Sequence, residues 1–198
     1  MKKVAKLKRV PRLKGVKRVK VRNLLEALRT TLEGRSQEEL IEVVIDLARR
    51  NRAIQRELAT RFEVQLSVQE LVADTQSAIS DATDFDERPL NSNFDYDYGA
   101  YETIQRNFQR LIELGRLDHA MELSLELMRD GSYQVEMSDE GLMSHDIAEC
   151  LQIVIRAINQ AKVSAAIVVE WCDKLRKRDR VGFIGEQEIQ SLRKRFAV

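Results

Sequence analysis

Proline is nearly missing from this chain of 198 residues, with two in all, and glycine is modest at eight. An all-β architecture needs turn formers every few residues, so that scarcity argues against one. Cysteine is equally thin. Cys150 and Cys172 are far apart and belong to no CxxC pair, so they read as small buried hydrophobes of a reduced compartment, not a disulfide framework. No apolar run approaches the length that crosses a bilayer, and no hydrophobic segment follows the basic N-terminus as a signal peptide requires. No membrane partner is therefore expected, and a cytoplasmic location follows. The chain also lacks a phosphate-cradling glycine loop, a dinucleotide fingerprint and a GxSxG elbow. A catalytic reading has little to stand on, and no cofactor is expected.

The most uneven absence is that of acid from the first 22 residues. They hold eleven cations (Lys2, Lys3, Lys6, Lys8, Arg9, Arg12, Lys14, Lys17, Arg18, Lys20 and Arg22) and no Asp or Glu. The rest of the chain carries 22 Lys and Arg against 32 Asp and Glu, a net charge of −10 that the overall +1 conceals. Within this arm Val4, Leu7, Val10, Leu13, Val16 and Val19 recur at every third position. On an α-helix that step smears apolar residues around the circumference, and Pro11 and Gly15 oppose a continuous helix. In a polyproline-II-like chain, with three residues per turn, all six line one edge. The arm then either lies in a groove with its cations turned toward phosphates or carboxylates, or stays a solvated basic tail.

What fills the remainder is hydrophobic residues at 43% and charged ones at 33%, enough for one sizeable core or two small ones. The pattern is helical throughout. Tyr101, Ile104, Phe108, Leu111 and Ile112 draw one stripe, Gly115 ends it as a left-handed cap, and Leu117, Ala120, Met121, Leu125 and Met128 begin another. So short a connection predicts an antiparallel αα-hairpin. Upstream, Asn23 is placed to cap a helix through Leu24, Leu25, Leu28 and Leu32 that Gly34 closes. Ser36 with Glu39 and Ser67 with Glu70 are capping boxes, each followed by an apolar stripe. Asn51 breaks the second of these helices, and Ile54, Leu58 and Phe62 mark a third. Downstream, Gly131 reads as a helix end, with Ser138 or Asp139 capping the next helix. Ile147, Cys150, Leu151, Val154, Ile155 and Ile158 form the cleanest stripe of all. Ser164 opens a helix with Val168, Trp171, Cys172 and Leu175, and a last one buries Ile189, Leu192 and Phe196.

The fold class is therefore all-α, with antiparallel hairpins forming a bundle or short solenoid behind an extended basic arm. The expected division is an arm at 1–22, a helical block at 23–80, an acidic and aromatic linker at 81–97, and a helical-hairpin block at 98–198. The linker carries Asp84, Asp86, Glu87, Asp95 and Asp97 among aromatic residues, with Pro89 in its middle. It lacks the glycine and distal glutamate of a calcium loop, so it reads as a solvated linker or as a dock for the arm, not as a metal site. His145 with Glu149 would share one helix face, but neither this histidine nor His119 follows a glutamate by three residues as a di-iron bundle requires. An ordinary surface pair is the expectation there.

The run Glu39-Leu40-Ile41-Glu42-Val43-Val44-Ile45-Asp46-Leu47-Ala48 resembles a short helical motif of bacterial proteins that carry SWIM-type zinc fingers. Leu114-Gly115-Arg116-Leu117-Asp118-His119-Ala120 looks like their tetratricopeptide-like hairpin turn, and Ser138-Asp139-Glu140-Gly141 and Arg180-Val181-Gly182-Phe183 are similar to their C-terminal helical region. The closely spaced cysteines and histidine of the finger are missing, and Phe108 stands where the tetratricopeptide pattern has a small residue. The resemblance implies an all-α scaffold without a finger. Two functions remain: a non-catalytic scaffold for protein–protein interaction or homo-oligomerisation, whose arm docks on its own linker, another copy or a partner, and a nucleic-acid-associated protein whose arm grips phosphates with little sequence preference. No aromatic residue in the arm offers base stacking.

Overall fold

The computed structural model describes residues 22–62, 64–84, 97–138 and 143–197, with the side chains of residues 22 and 23 left aside. The fold is all-α. Among the described residues the helices are α1 (Arg22–Glu33), α2 (Gln37–Arg50), α3 (Arg52–Arg61), α4 (Val68–Ala82), α5 (Tyr98–Glu113), α6 (Leu117–Met137), α7 (Ser144–Gln160), α8 (Ala165–Arg178) and α9 (Glu186–Phe196). The arm at 1–21 and most of the acidic stretch lie outside the described residues.

The chain divides into two compact units between Gln55 and Arg56, inside α3. The sequence placed a boundary at the acidic stretch instead. In the structure α4, which precedes that stretch, packs on α5, which follows it, so the two belong to one core. Leu71, Ala78, Ile79 and Ala82 of α4 and Tyr101, Ile104 and Phe108 of α5 are all buried.

In the second unit α5 also packs on α7, α6 packs on α7 and α8, and α9 closes against α8 and α7. The expected stripes supply this core: Ile104, Phe108, Leu111, Leu127, Met128, Ile147, Leu151, Ile158, Leu175 and Ile189 are fully buried. The α5–α6 turn is a Schellman motif, with Arg116 N–H donating to the Leu111 carbonyl at 2.8 Å and Gly115 N–H to that of Ile112 at 2.9 Å. Gly115 sits at φ 72°, where a side chain would be strained. Trp171 ties α8 to α6 by donating its indole N–H to the Met121 carbonyl at 2.9 Å and the Ser124 hydroxyl at 3.2 Å.

Gly131 does not end a helix. It is buried inside α6, which continues to Met137, and a Cβ there would lie 2.6 Å from Ile147 Cδ1. The glycine allows close approach of α6 and α7. Ser138 accordingly follows α6 as its C-cap, and Met143, at φ 69°, precedes α7.

The first unit is built differently. Its capping box forms as expected, as does that of α4 in the second unit: in α2 Ser36 Oγ accepts from Glu39 N–H at 3.2 Å while the Glu39 carboxylate accepts from Ser36 N–H at 3.0 Å. Yet α1 and α2 do not pack along one another. Every described side chain of α1 is exposed, and none of α2 is buried.

Candidate functional site

Of the cations expected to grip a partner, Lys2 through Lys20 lie outside the described residues, and Arg22 begins α1. Of the acids expected to receive them, Asp86, Glu87 and Asp95 also lie outside, and Asp84 is exposed. Asp97 is engaged in the fold itself. Its carboxylate accepts from Ala100 N–H at 3.1 Å, capping α5, and pairs with Arg56 Nη1 at 2.6 Å. The other terminal nitrogen of Arg56 pairs with Asp81 at the end of α4. Arg56, with its side chain only 12% exposed, thus joins α3 to the end of α4 and the start of α5. Nothing local in the sequence distinguishes Arg56 from Arg52 or Arg61, because its partners lie 25 and 41 residues away.

The histidines sit in surface networks. His145 Nε2 lies 3.1 Å from Glu149 Oε1, with the imidazole 84% exposed, and Glu149 also accepts from Gln105 Nε2 at 3.3 Å. His119 Nε2 is 2.6 Å from Arg116 Nη2, and Arg116 is bidentate on Asp118 at 3.1 and 2.9 Å. The hydrogen bond from Arg116 holds the Asp118 carboxyl below the usual carboxylate range. Beside them runs a shallow groove of about 620 Å³, lined by Val68 and Val72 of α4 together with Arg116 and His119.

The thiols are poor nucleophiles as placed. Burial raises both, with Asp146 adding to the effect at Cys150 and Asp173 at Cys172, which is pushed up to about 11. Among the described residues no group of three or more His, Cys, Asp or Glu is arranged to hold a metal ion, and no helix is long and apolar enough to cross a membrane.

The most extensive unassigned surface is in the first unit. Leu24, Leu25, Leu28 and Leu32 of α1 and Ile41, Val43, Val44, Ile45 and Leu47 of α2 are each 38–72% exposed. The sequence places most of these residues on amphipathic helices, and periodicity does not say whether such a stripe is covered, since a buried stripe and an uncovered one have the same period. At about 100° per residue, Leu40, Ile41, Leu47 and Ala48 fall within about 60° of Val44, and Val43 and Ile45 flank them. Glu38, Glu39, Glu42, Asp46, Arg49 and Arg50 all fall on the opposite side, at least about 120° away. The exposed ion pairs of Asp46 with Arg50 at 2.6 Å and with Arg49 at 3.9 Å lie on that charged side. The second unit exposes large apolar residues too, among them Phe62, Tyr98, Ile167 and Phe183, but on separate elements. Compared with known protein families, with characterised proteins and with solved structures, the chain matches none.

Proposed function

We propose that this chain is an assembly protein, a helical scaffold that engages another protein surface through its N-terminal region. The observation that carries this reading is the first unit, which presents nine large apolar side chains and buries none of them. Helices of 12 and 14 residues are marginal alone in water, and most helical stability in proteins comes from burying an amphipathic face. An uncovered face of this extent calls for a protein surface to lie against it.

Charge supports the reading from a second side. Eleven cations precede a remainder of net charge −10, so the arm is complementary to the acids of its own chain, of another copy or of an acidic partner. Of the acids expected to receive the arm, Asp97 is engaged by Arg56, which also pairs with Asp81.

The concentration of cations in the arm also favours a second reading, nucleic-acid association through backbone phosphates. The acidic remainder opposes broad engagement of a polyanion. On this reading, contact with about five phosphates makes log affinity fall against log salt with a slope near −4 to −5.

Deleting residues 1–22 separates the two. The assembly reading expects weaker association in sedimentation velocity, with little affinity for a labelled duplex DNA to lose. Unchanged association together with abolished DNA binding would establish phosphate gripping in its place.

A further inference from the structure

Every helix from α4 to α9 buries at least two side chains, and α3 buries none. Nor does α3 pack closely along another helix among the described residues. Its Leu58 and Ala59 are partly covered, but neither joins the hydrophobic core. What places α3 against the second unit is a series of side-chain bonds to α5 and to the end of α4. Arg56 pairs with Asp97 at 2.6 Å and with Asp81. The Thr60 hydroxyl accepts from Arg106, and Gln65, just past α3, accepts from Arg110 Nη2 at 2.7 Å. The partners advance together, 56 with 97, 60 with 106 and 65 with 110. The segment therefore runs parallel to α5, from its start toward its end.

Bonds of this kind fix a helix in register without making it part of a core. Exposed ones contribute little each, and a free helix of ten residues is marginal in water. Breaking them also leaves little unsatisfied. Arg110 has Glu113 at 3.1 Å and Arg106 has Thr103 at 3.4 Å on their own helix, and Asp97 keeps the Ala100 N–H. Arg56 is the exception, because it is the best covered of these side chains and meets two carboxylates at once.

We infer that α3 is an ionic clasp: it lifts from the second unit in a local step of its own, ahead of any opening of the core, with Arg56 as the latch. Local openings draw on the parts of a fold with the fewest buried apolar contacts, and α3 is such a part. The inference goes beyond the assembly reading and holds whatever lies against α1 and α2. The division between the two units falls inside α3, so its release lengthens the tether between them. Ten residues span about 15 Å as a helix and up to about 35 Å when extended. The reach of the N-terminal region is then set by ion pairs and not by core packing. Asp81 and Asp97 are 25% and 41% exposed, so other cations have access to the acids that hold the latch.

The test is hydrogen exchange read by mass spectrometry on the full chain, with α6 and α7 as the reference for the core. Amides of residues 56–61 should exchange faster than those of α6 and α7, through an opening that responds little to urea. Exchange in α6 and α7 should quicken steeply with urea. Arg56→Gln should speed exchange in α3 by about tenfold to thirtyfold and leave α6 and α7 unchanged. Arg56→Lys, which keeps the charge but loses the fork, should fall between. Asp81→Asn combined with Asp97→Asn should match Arg56→Gln, and adding Arg56→Gln to that pair should change little more. Raising sodium chloride from about 0.05 to about 0.5 M should speed α3 in the unchanged chain, and do so less in Arg56→Gln. Exchange of α3 at the rate and urea dependence of α6 and α7 overturns the inference, because α3 would then open only with the core. So does an α3 indifferent to Arg56→Gln, or an effect that spreads equally to α6 and α7. An α3 that already exchanges at the free-peptide rate overturns it as well, since nothing would be holding it. Each of these failures leaves the assembly reading standing, which the deletion of residues 1–22 tests separately.

Discussion

A methyl group added at Gly131 has to share space with Ile147, which is fully buried and cannot swing into solvent. The added Cβ would meet Ile147 Cδ1 at 2.6 Å and Cγ1 at 3.1 Å. Two effects oppose one another at this residue. Replacing a mid-helix glycine by alanine favours the helix by about 0.8–1 kcal/mol, and overpacking a closed core costs about 1–3 kcal/mol. The second is larger here because the clash is with a residue that has no exit. Gly131→Ala should therefore destabilise the protein by about 1 kcal/mol, read from urea unfolding of the second unit. Ile147→Val removes the nearest atom, at its own cost of about 0.5–1.5 kcal/mol. In that background the alanine should become neutral or stabilising, and an unchanged penalty there would show that the clash is not the cause. The same glycine shows where local pattern fails. Between two apolar stripes Gly131 looks like a helix end, because the sequence nearby carries no sign of the helix that packs across it.

At the scale of elements, the periodic stripes and the serine–glutamate boxes were enough to place most helices, since both signals are confined to four to eight consecutive residues. Which helices share a core was less legible. The acidic stretch looks like a boundary in composition, but the stripes on α4 and α5 face each other across it, and Arg56 joins their adjacent ends from α3. Removing that guanidinium leaves two carboxylates without their common cation in a partly covered site. Arg56→Ala should cost about 2 kcal/mol, between the value of an exposed pair and the roughly 3–5 kcal/mol of a fully buried one. Asp97→Asn keeps an acceptor for Ala100 N–H and removes the charge, so it isolates the pair from the cap. A double-mutant cycle between the two positions should show a coupling of about 1 kcal/mol. If the single costs simply add, Arg56 matters through the packing of its stem and not through Asp97.

At the scale of the whole molecule, the two units have unequal means of staying folded. The second has its own core, with every buried side-chain polar atom partnered among the described residues. The first shows no such core, since α1 and α2 bury none of their described side chains and isolated helices of their length are marginal. That asymmetry was hidden in the sequence, where α2 and α7 both carry apolar stripes of helical period and only the three-dimensional arrangement separates a covered face from an uncovered one. It has a consequence under the assembly reading. If a second copy covers the first unit, dilution removes the cover, and the helical part of the circular dichroism should fall with concentration by up to roughly a fifth, the share of α1 and α2 in the described helix. Trp171 emission should stay constant over the same dilution, because its surroundings on α6 and α8 belong to the second unit. Heating at low concentration should then show the second unit melting alone, and at high concentration an earlier, concentration-dependent loss of helix should precede it. Helicity that is unchanged by dilution, with one transition for both signals, would mean that α1 and α2 are held by their own chain. The apolar face of α2 would then be a piece of core and not a surface for assembly.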